Sequence, residues 1–443
     1  MNMGLILNTS TSLPRTSSPV VAVIGTGYVG LTTGACLAHL GHTVVCADID
    51  EAKVANLRAG RIPIVELGLE QLVAEGLASG RLSFVVGGAT AVADCDVAFL
   101  CVPTPQGEDG SADLTYVQQA AEQIAPHLPH EAIVVNKSTV PVGSTKVVER
   151  ALKRPDVRVV SNPEFLREGS AVQDFLKPDR VVVGADDQAA ALKVASLYDG
   201  LTTRVIITDP ASAETIKYAA NAFLATKLSF INAIAAICEG VGADINDVVV
   251  GMGSDKRIGE SFLRPGPGWG GSCFPKDSRA LIKIAEEAGY DFELLDGVIA
   301  VNDQQFDRVA AKVRLAAGGD LSSKRIAVWG LTFKAGTDDL RDSPAVAICQ
   351  RLLAAGATLT VHDPTVDRPR AGAPDGITIA LDPIDACRDA DVLVVLTEWD
   401  QFKWVDPMAV GAVSKAKVVV DARNLLDRNQ WQKAGFVHQG IGR

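Results

Sequence analysis

The sequence has no cysteine pair at CxxC spacing and no His/Cys cluster at metal-ligand spacing, so neither a structural zinc site nor any other metal site is expected. Its eight cysteines, at 36, 46, 95, 101, 238, 273, 349 and 387, are scattered, the pattern of reduced thiols in a cytoplasmic protein. Positive charge is also short. A formal net charge of -11 and a pI near 5.1 exclude an extended basic face for nucleic acid, although an anionic small ligand stays open if local cations gather around it. Residues 1–19 are Ser/Thr-rich with one Arg and a short Leu-Ile-Leu run. They lack a signal-peptide core and are expected to be a disordered leader. The longest apolar segment, Tyr218 to Cys238, is interrupted by Asn221, Lys227, Ser229 and Asn232, so a buried helix is expected rather than a membrane span.

The composition is that of a globular chain. At 443 residues, 47% hydrophobic and 21% charged, it is too long for one ordinary core, and two or three domains are expected.

The first is read over 20–210. Val20 to Ile24 is a continuous β-branched run that ends in Gly25-Thr-Gly27-Tyr28-Val29-Gly30, and a helical pattern continues through Leu31 to Leu40. A second strand, Thr43 to Ala47, delivers Asp48 about twenty residues after the glycines, where a carboxylate can bond a ribose 2'-hydroxyl. Strand, glycine turn, helix and acid together predict dinucleotide binding. The acid repels a 2'-phosphate, which favours NAD over NADP. Lys53 on the next helix either touches the adenosine ribose or is simply solvated. Strands at Val97 to Val102, Ala132 to Asn136 and Val157 to Val160 continue a parallel sheet with helices on both faces. Ligands collect at the carboxyl ends of such strands. Three of these ends stand out: Cys101-Val-Pro-Thr104-Pro, Lys137-Ser-Thr139-Val-Pro-Val-Gly143, and Ser161-Asn-Pro-Glu164-Phe165-Leu166-Arg167-Glu168-Gly169. Thr139 offers a hydroxyl to the nicotinamide end and Glu164 a carboxylate for general-base work; turn and capping chemistry is the competing reading of each.

A helical middle is read over 211–317. Its first helix, from near Ser212, is apolar enough to be buried on most of its circumference. Lys217 and Asn221, at i and i+4, could present an ammonium and an amide to a developing oxyanion, or be a snorkelling lysine beside a satisfied asparagine. Further helices are expected from about Asp244 to Met252, from Pro275 to about Glu287, and from Gln304 to about Ala317. Buried helices that join sheet domains often supply a dimer interface, which makes a homodimer the expectation. Within this region lies Gly266-Pro-Gly268-Trp269-Gly270-Gly271-Ser-Cys273-Phe-Pro-Lys276-Asp277. Its glycines allow close backbone approach, and Cys273 falls at a helix start, where the dipole favours the nucleophilic thiolate. Asp277 would share that pocket, and Lys276 would favour the thiolate or hold a phosphate.

A second α/β unit, 318–443, follows a linker at Gly318 to Ser323. Strands are read at Arg325 to Trp329, Thr358 to His362, Val392 to Leu396 and Lys417 to Val420. It has no second GxGxxG. Lys334, after Phe333, together with Arg341 and Arg423 would place cations at one rim, suited to a diphosphate.

Taken together, GTGYVG, STVPVGST, NPEFLREGSA, AETIKYAANAFLA, RIG followed by FLRPGPGWGGSCFPKD, FKAGTDDLRDSP and DARNLLD resemble the UDP-glucose/GDP-mannose dehydrogenase family, from about Val20 to about Asp427. The resemblance implies two Rossmann-like parallel-sheet domains joined by a central helical region. It also implies oxidation of UDP-glucose by two NAD and water to UDP-glucuronate, through a thiohemiacetal and a thioester on Cys273. Lys217 and Asn221 would stabilise oxyanions, Asp277 with Thr139 would orient water, and Glu164 would be a base or a water-positioning carboxylate. Cofactor contacts implied are Val29, Asp48, Lys53, Thr139, Glu168, Lys276 and Arg341. Substrate contacts implied are Glu164 to Glu168, Lys217, Asn221, Arg257, the loop with Phe262, Leu263, Arg264, Gly266, Gly268, Trp269 and Gly270, then Gly271, Phe333, Lys334 and Arg423. Trp269 stands where many relatives have Phe, and it is expected to pack near the sugar or uracil with altered fit. Oxidation of GDP-mannose or of a UDP-N-acetylhexosamine keeps the same chemistry; Ser272 before the cysteine favours the glucose type. A one-hydride hydroxyacid dehydrogenase is the alternative from another reaction class.

Overall fold

The computed structural model describes residues 5–8, 19–107 and 110–443. The chain forms two compact units, 1–220 with 279–287, and 221–278 with 288–443.

Among the described residues, the first unit holds nine strands: β1 (Leu5–Asn8), β2 (Val20–Ile24), β3 (Thr43–Asp48), β4 (Leu82–Val86), β5 (Val97–Leu100), β6 (Ile133–Asn136), β7 (Arg158–Ser161), β8 (Arg180–Gly184) and β9 (Arg204–Thr208). They lie in the order β1-β9-β8-β7-β6-β5-β2-β3-β4. The run β4-β3-β2-β5-β6-β7 is parallel, and its order turns back between β2 and β5, the crevice where such sheets take ligands. Successive residues of β2 serve opposite faces, Val21 and Val23 in one core cluster, Ala22 and Ile24 in another. Burial on both faces is why the strand reads as an unbroken apolar run.

The strands read from the sequence are parallel, and the sheet continues beyond them. β8 meets β7 antiparallel and pairs parallel with β9, so these two strands run against the six of the parallel run. A strand buried on both faces carries no directional signal in its side chains. Leu5–Asn8, inside the segment expected to be a disordered leader, pairs antiparallel with β9. Residues 1–4 and 9–18 of that segment lie outside the described residues.

The second unit contains a fully parallel sheet of β10 (Arg325–Trp329), β11 (Thr358–His362), β12 (Thr378–Ile379), β13 (Val392–Val395), β14 (Val418–Asp421) and β15 (Val437–Gln439), ordered β12-β11-β10-β13-β14-β15. This is the strand order of the first unit's parallel run. Ile326 and Val328 of β10 enter a cluster shared with Ile231, Ala235, Val309 and Val313, so helices cover that face; Ala327 and Trp329 enter the cluster on the other.

The longest helix is Pro210–Val241. Proline suits its first turn, and Asp209 accepts hydrogen bonds from Ser212 N at 2.8 Å and Ser212 Oγ at 2.7 Å. It buries Ala213, Tyr218, Ala222, Ala225, Ile231, Ala235 and Cys238, yet Phe223, Phe230 and Ile237 are 64%, 50% and 57% exposed. Burial around most of its circumference is thus not what a single chain shows: one apolar stripe stands uncovered. The helix expected from Gln304 begins earlier, spanning Glu293–Ala316.

Candidate active site

In the first unit the turn after β2 is closed on one side and open on the other. A Cβ on Gly30 would lie 1.9 Å from Gly25 O, so helix and turn pack too tightly there for any other residue. A Cβ on Gly27 would meet nothing within 4 Å. Tyr28 and Val29 open the helix Tyr28–His39, whose first N–H groups face this gap. At the end of β3, Asp48 Oδ2 accepts from Thr26 N at 3.1 Å, Thr26 Oγ1 at 2.6 Å and Lys53 Nζ at 2.8 Å. Burial opposes ionisation of Asp48, but the bonds from Lys53 and Thr26 outweigh it and bring the carboxyl down to about 2. Lys53 is thus tied to Asp48, with its side chain 27% exposed. An open glycine turn at a helix start, with a charged acceptor beside it, fits the diphosphate and 2'-hydroxyl of NAD.

At the neighbouring strand ends, Thr104 Oγ1 donates to Thr139 O at 2.9 Å, joining two of the candidate loops. Glu164 is buried. Its Oε1 accepts from Lys217 Nζ at 2.8 Å, its Oε2 from Leu166 N at 2.6 Å, and the Lys217 ammonium lies 5.6 Å from the Phe165 ring centre. Burial raises the Glu164 titration, but the charge and hydrogen bond of Lys217, the Leu166 N–H and the charge of Lys137 together take it below its ordinary range. Arg167 pairs with Asp174.

Three buried groups here are not evident from sequence motifs. Lys137 donates to Asn162 Oδ1 at 3.0 Å and Tyr198 OH at 3.1 Å. Glu214 accepts from Gly143 N at 2.6 Å, Thr145 N at 3.1 Å and Thr145 Oγ1 at 2.8 Å, capping the helix that follows the Thr139 loop. Glu66 accepts from Tyr28 and Gly169. Glu214 had a signal: it precedes Lys217 by three residues on one helix face.

In the second unit, Cys273 immediately precedes the helix Phe274–Glu287, and Asp277 N donates to Cys273 O at 2.8 Å to open it. It is the one cysteine that is not buried. Burial pushes Cys36, Cys95, Cys101, Cys349 and Cys387 up to about 12, leaving them thiols at any working pH. Asp277 is wholly buried; its Oδ2 accepts from Asn221 Nδ2 at 2.6 Å and its Oδ1 from Lys276 Nζ at 2.7 Å. Lys276, expected to favour the thiolate or a phosphate, is here held by Asp277.

The glycine loop is clamped from the helices of this unit. Gly266 N donates to Asn232 Oδ1 at 2.8 Å, Gln305 Nε2 to Gly266 O at 2.8 Å, and Trp269 N to Asn302 Oδ1 at 2.8 Å. A Cβ on Gly270 would lie 1.9 Å from Asp342 O. Phe262 and Trp269 each pack a ring 6.3 Å from Phe274, Leu263 is buried, and Phe333 lies against Gly271. Arg423 donates to Leu396 O at 2.8 Å and Phe333 O at 3.0 Å, which puts it at the carboxyl ends of β13 and β14 beside the loop. Lys334 Nζ lies 5.4 Å from the Phe333 ring centre, so Gly266 to Gly271, Phe333, Lys334 and Arg423 are gathered in one place. Arg341 and Arg257 stand exposed, paired with Asp339 and Asp255 respectively.

Trp269 is 5% exposed, and its indole N–H donates to Ser229 Oγ at 2.8 Å, while that hydroxyl donates to Val298 O at 2.7 Å. Trp269→Phe is expected to cost about 1 kcal/mol of stability through the lost hydrogen bond. Thermal unfolding measured beside the Michaelis constant for the sugar nucleotide checks this; a constant that moves while the melting temperature holds would put the ring against the substrate.

Residues 19–202 match the NAD binding domain of the UDP-glucose/GDP-mannose dehydrogenase family, 211–304 its central domain and 327–428 its UDP binding domain. The UDP-glucose 6-dehydrogenase of Rhizobium meliloti (strain 1021) is 47% identical over 433 residues, 96% of this chain and 99% of its own. That of Pseudomonas aeruginosa is 45% identical over 440 residues, 96% of this chain and 97% of its own. The solved UDP-glucose dehydrogenase of Pyrobaculum islandicum superposes with a TM-score of 0.89 at 38% identity, over 98% of this chain and all of its own. The glycine turn with its acid, the half-buried cysteine at a helix start and matches over the length of the chain have one reading: the chain belongs to the UDP-glucose/GDP-mannose dehydrogenase family.

Proposed function

We propose that the protein oxidises UDP-glucose to UDP-glucuronate, an NAD-dependent four-electron reaction held on Cys273. The observation that carries this reading is the full-length likeness to UDP-glucose 6-dehydrogenases, in a chain whose one cysteine outside the cores opens a helix in a glycine loop. NAD, when bound at the Gly25 to Gly30 turn and Asp48, supplies the hydride acceptor, once for each of two oxidations. The C6 alcohol gives up a hydride and a proton and becomes an aldehyde. The Cys273 thiolate adds to that carbon, and the thiohemiacetal loses a second hydride to become a thioester. Water cleaves the C–S bond, releasing the acid and the thiol. The sulfur adduct keeps the aldehyde from escaping between the two oxidations.

In this reading Lys217 and Asn221 donate to the oxyanions, Asp277 with Thr139 orients the water, and Glu164 receives or relays protons. Both oxyanion donors already hold a carboxylate partner, Glu164 and Asp277, which fixes their rotamers before substrate arrives. We assign the cofactor to 20–210, the Cys273 loop and dimer contact to 211–317, and the UDP-sugar to 318–443. The test is the NADH yield at completion, expected near two per UDP-glucose.

We also infer a cytoplasmic homodimer. Phe223, Phe230 and Ile237 recur every seven residues, so they share one face of the helix Pro210–Val241, and that face is uncovered. Charged and polar Glu214, Lys217, Ser229 and Asn232 are buried on the same helix, which suits a protein core and not a bilayer. Phe230→Glu is expected to turn a dimer into a monomer in sedimentation at micromolar concentration. A wild type that sediments as a monomer would refute the dimer.

A further inference from the structure

Glu66 has no part in the chemistry above, yet it is only 9% exposed. Burying a carboxylate is costly unless partners compensate, so its position asks for a reason. It lies between the helices Glu51–Arg58 and Leu69–Ala78. It does not cap the second of these: the N-cap is Gly68, with no side-chain bond. Instead, Glu66 Oε2 accepts from the Tyr28 hydroxyl at 2.7 Å and from Gly169 N at 2.7 Å.

These two donors come from the two segments on which the proposed reaction depends. Tyr28 is the first residue of the helix after the glycine turn, and Gly169 closes the segment that carries Glu164 and Glu168. Arg167 O lies 2.8 Å from the same Tyr28 hydroxyl, so the segments also touch directly. Burial first, then the bond to Glu66 and the charges of Glu66, Glu168 and Glu164, push the Tyr28 titration far up, so the phenol keeps its proton as a donor. Hydrogen bonds to an ionised acceptor are the strong ones, and a buried acceptor shared by two loops fixes both.

We propose that Glu66 is a positioning residue that clasps the cofactor turn to the 164–169 segment, so that turn and carboxylates are set as one body. The consequence for turnover rests on the function proposed above; the clasp itself does not. Removing Glu66 would leave the Gly169 amide without its acceptor and free the segment to shift, while the glycine turn keeps its own packing. A shift of an ångström in catalytic groups is enough to slow a reaction markedly.

The test uses the full-length Glu66→Leu, Glu66→Gln and Tyr28→Phe variants and the Tyr28→Phe/Glu66→Leu double variant. Hydrogen exchange of the peptide covering 165–170 reads the clasp in the free protein without any turnover. It should quicken in Glu66→Leu and return toward wild type in Glu66→Gln, which keeps an acceptor oxygen. In steady-state kinetics, Glu66→Leu should lower kcat by about ten- to hundredfold, the size of lost bonds to a charged acceptor. Glu66→Gln should stay within about threefold of wild type, and the double variant should be no worse than Glu66→Leu, since both arms meet at one atom. Unchanged exchange in Glu66→Leu overturns the clasp. Faster exchange with kcat intact, or losses that multiply in the double variant, overturns the positioning role. Should Glu66→Leu not fold, Tyr28→Phe, which removes one hydroxyl, is judged by the same two criteria. A wild type that gives no NADH from UDP-glucose fails the proposed function, and the exchange measurement then decides the clasp alone.

Discussion

Cys273→Ala is expected to stop net formation of acid, with kcat for UDP-glucuronate down by about a thousandfold or more, as when a covalent nucleophile is lost. The side-by-side measurement is NADH yield and acid formed, wild type against variant. No other described thiol is placed to substitute, because the other seven are buried and five of them are pushed up to about 12. Cys273 alone is partly exposed, directly before a helix whose N-terminal amides and dipole favour the thiolate. The variant retains the glycine turn and Asp48, so the first hydride transfer is not directly removed, and slow turnover as far as the aldehyde is compatible with the mechanism. A yield near one in wild type would return the protein to simple alcohol oxidation, whereas a variant that makes acid at the normal rate would take Cys273 out of the four-electron route. No NADH from UDP-glucose, but two from another sugar nucleotide, would keep the mechanism and change only the substrate.

The parts legible in the sequence share a physical reason. β2 and β10 are buried on both faces and bounded by glycine, so their ends fall where the apolar runs end, at Ile24 and Trp329. The cysteine loop was legible because Gly270 packs against the Asp342 carbonyl, where no side chain fits. What stayed hidden depends on long-range pairing. The reversal of β8 and β9 leaves no trace in a pattern that only records burial. Glu66, Glu214 and Lys137 find partners up to 103 residues away, several of them backbone amides that every residue type possesses. The start of the helix Glu293–Ala316 is hidden in the sequence because its first turns, with Gly297 among apolar residues, lack the polar periodicity of the rest. For Trp269, the sequence does not show that Ser229, forty residues earlier, gives its indole N–H an internal acceptor.

Lys217→Met should cost both stability and rate, and the pH dependence separates the two. The pair with Glu164 is buried on both sides, at 4% and 5% side-chain exposure. Removing one partner of such a pair costs about 3–5 kcal/mol, because the remaining charge stays buried. In wild type the folded-state titration of Glu164 lies below its ordinary 4.5. That group therefore contributes stability above pH 4.5, which is lost as pH falls through the depressed folded value. Without Lys217, burial, the largest single influence, is opposed only by the Leu166 N–H and the charge of Lys137, and the folded value is expected to move above 4.5. The sign then reverses: the variant is least penalised in acid, where Glu164 is protonated, and loses stability as pH rises. The gap in melting temperature between wild type and Lys217→Met should widen from about pH 5 to pH 8; a gap that stays constant would show that Glu164 does not answer to Lys217. Activity should fall by about a hundred- to a thousandfold, the loss of an oxyanion donor. Lys217→Met with Glu164→Gln removes both charges and should recover most of the stability while activity stays lost. Stability and activity recovered together would make the pair a structural one. Stability recovered alone assigns the buried charges to the chemistry, because a neutral pair would then hold the fold as well.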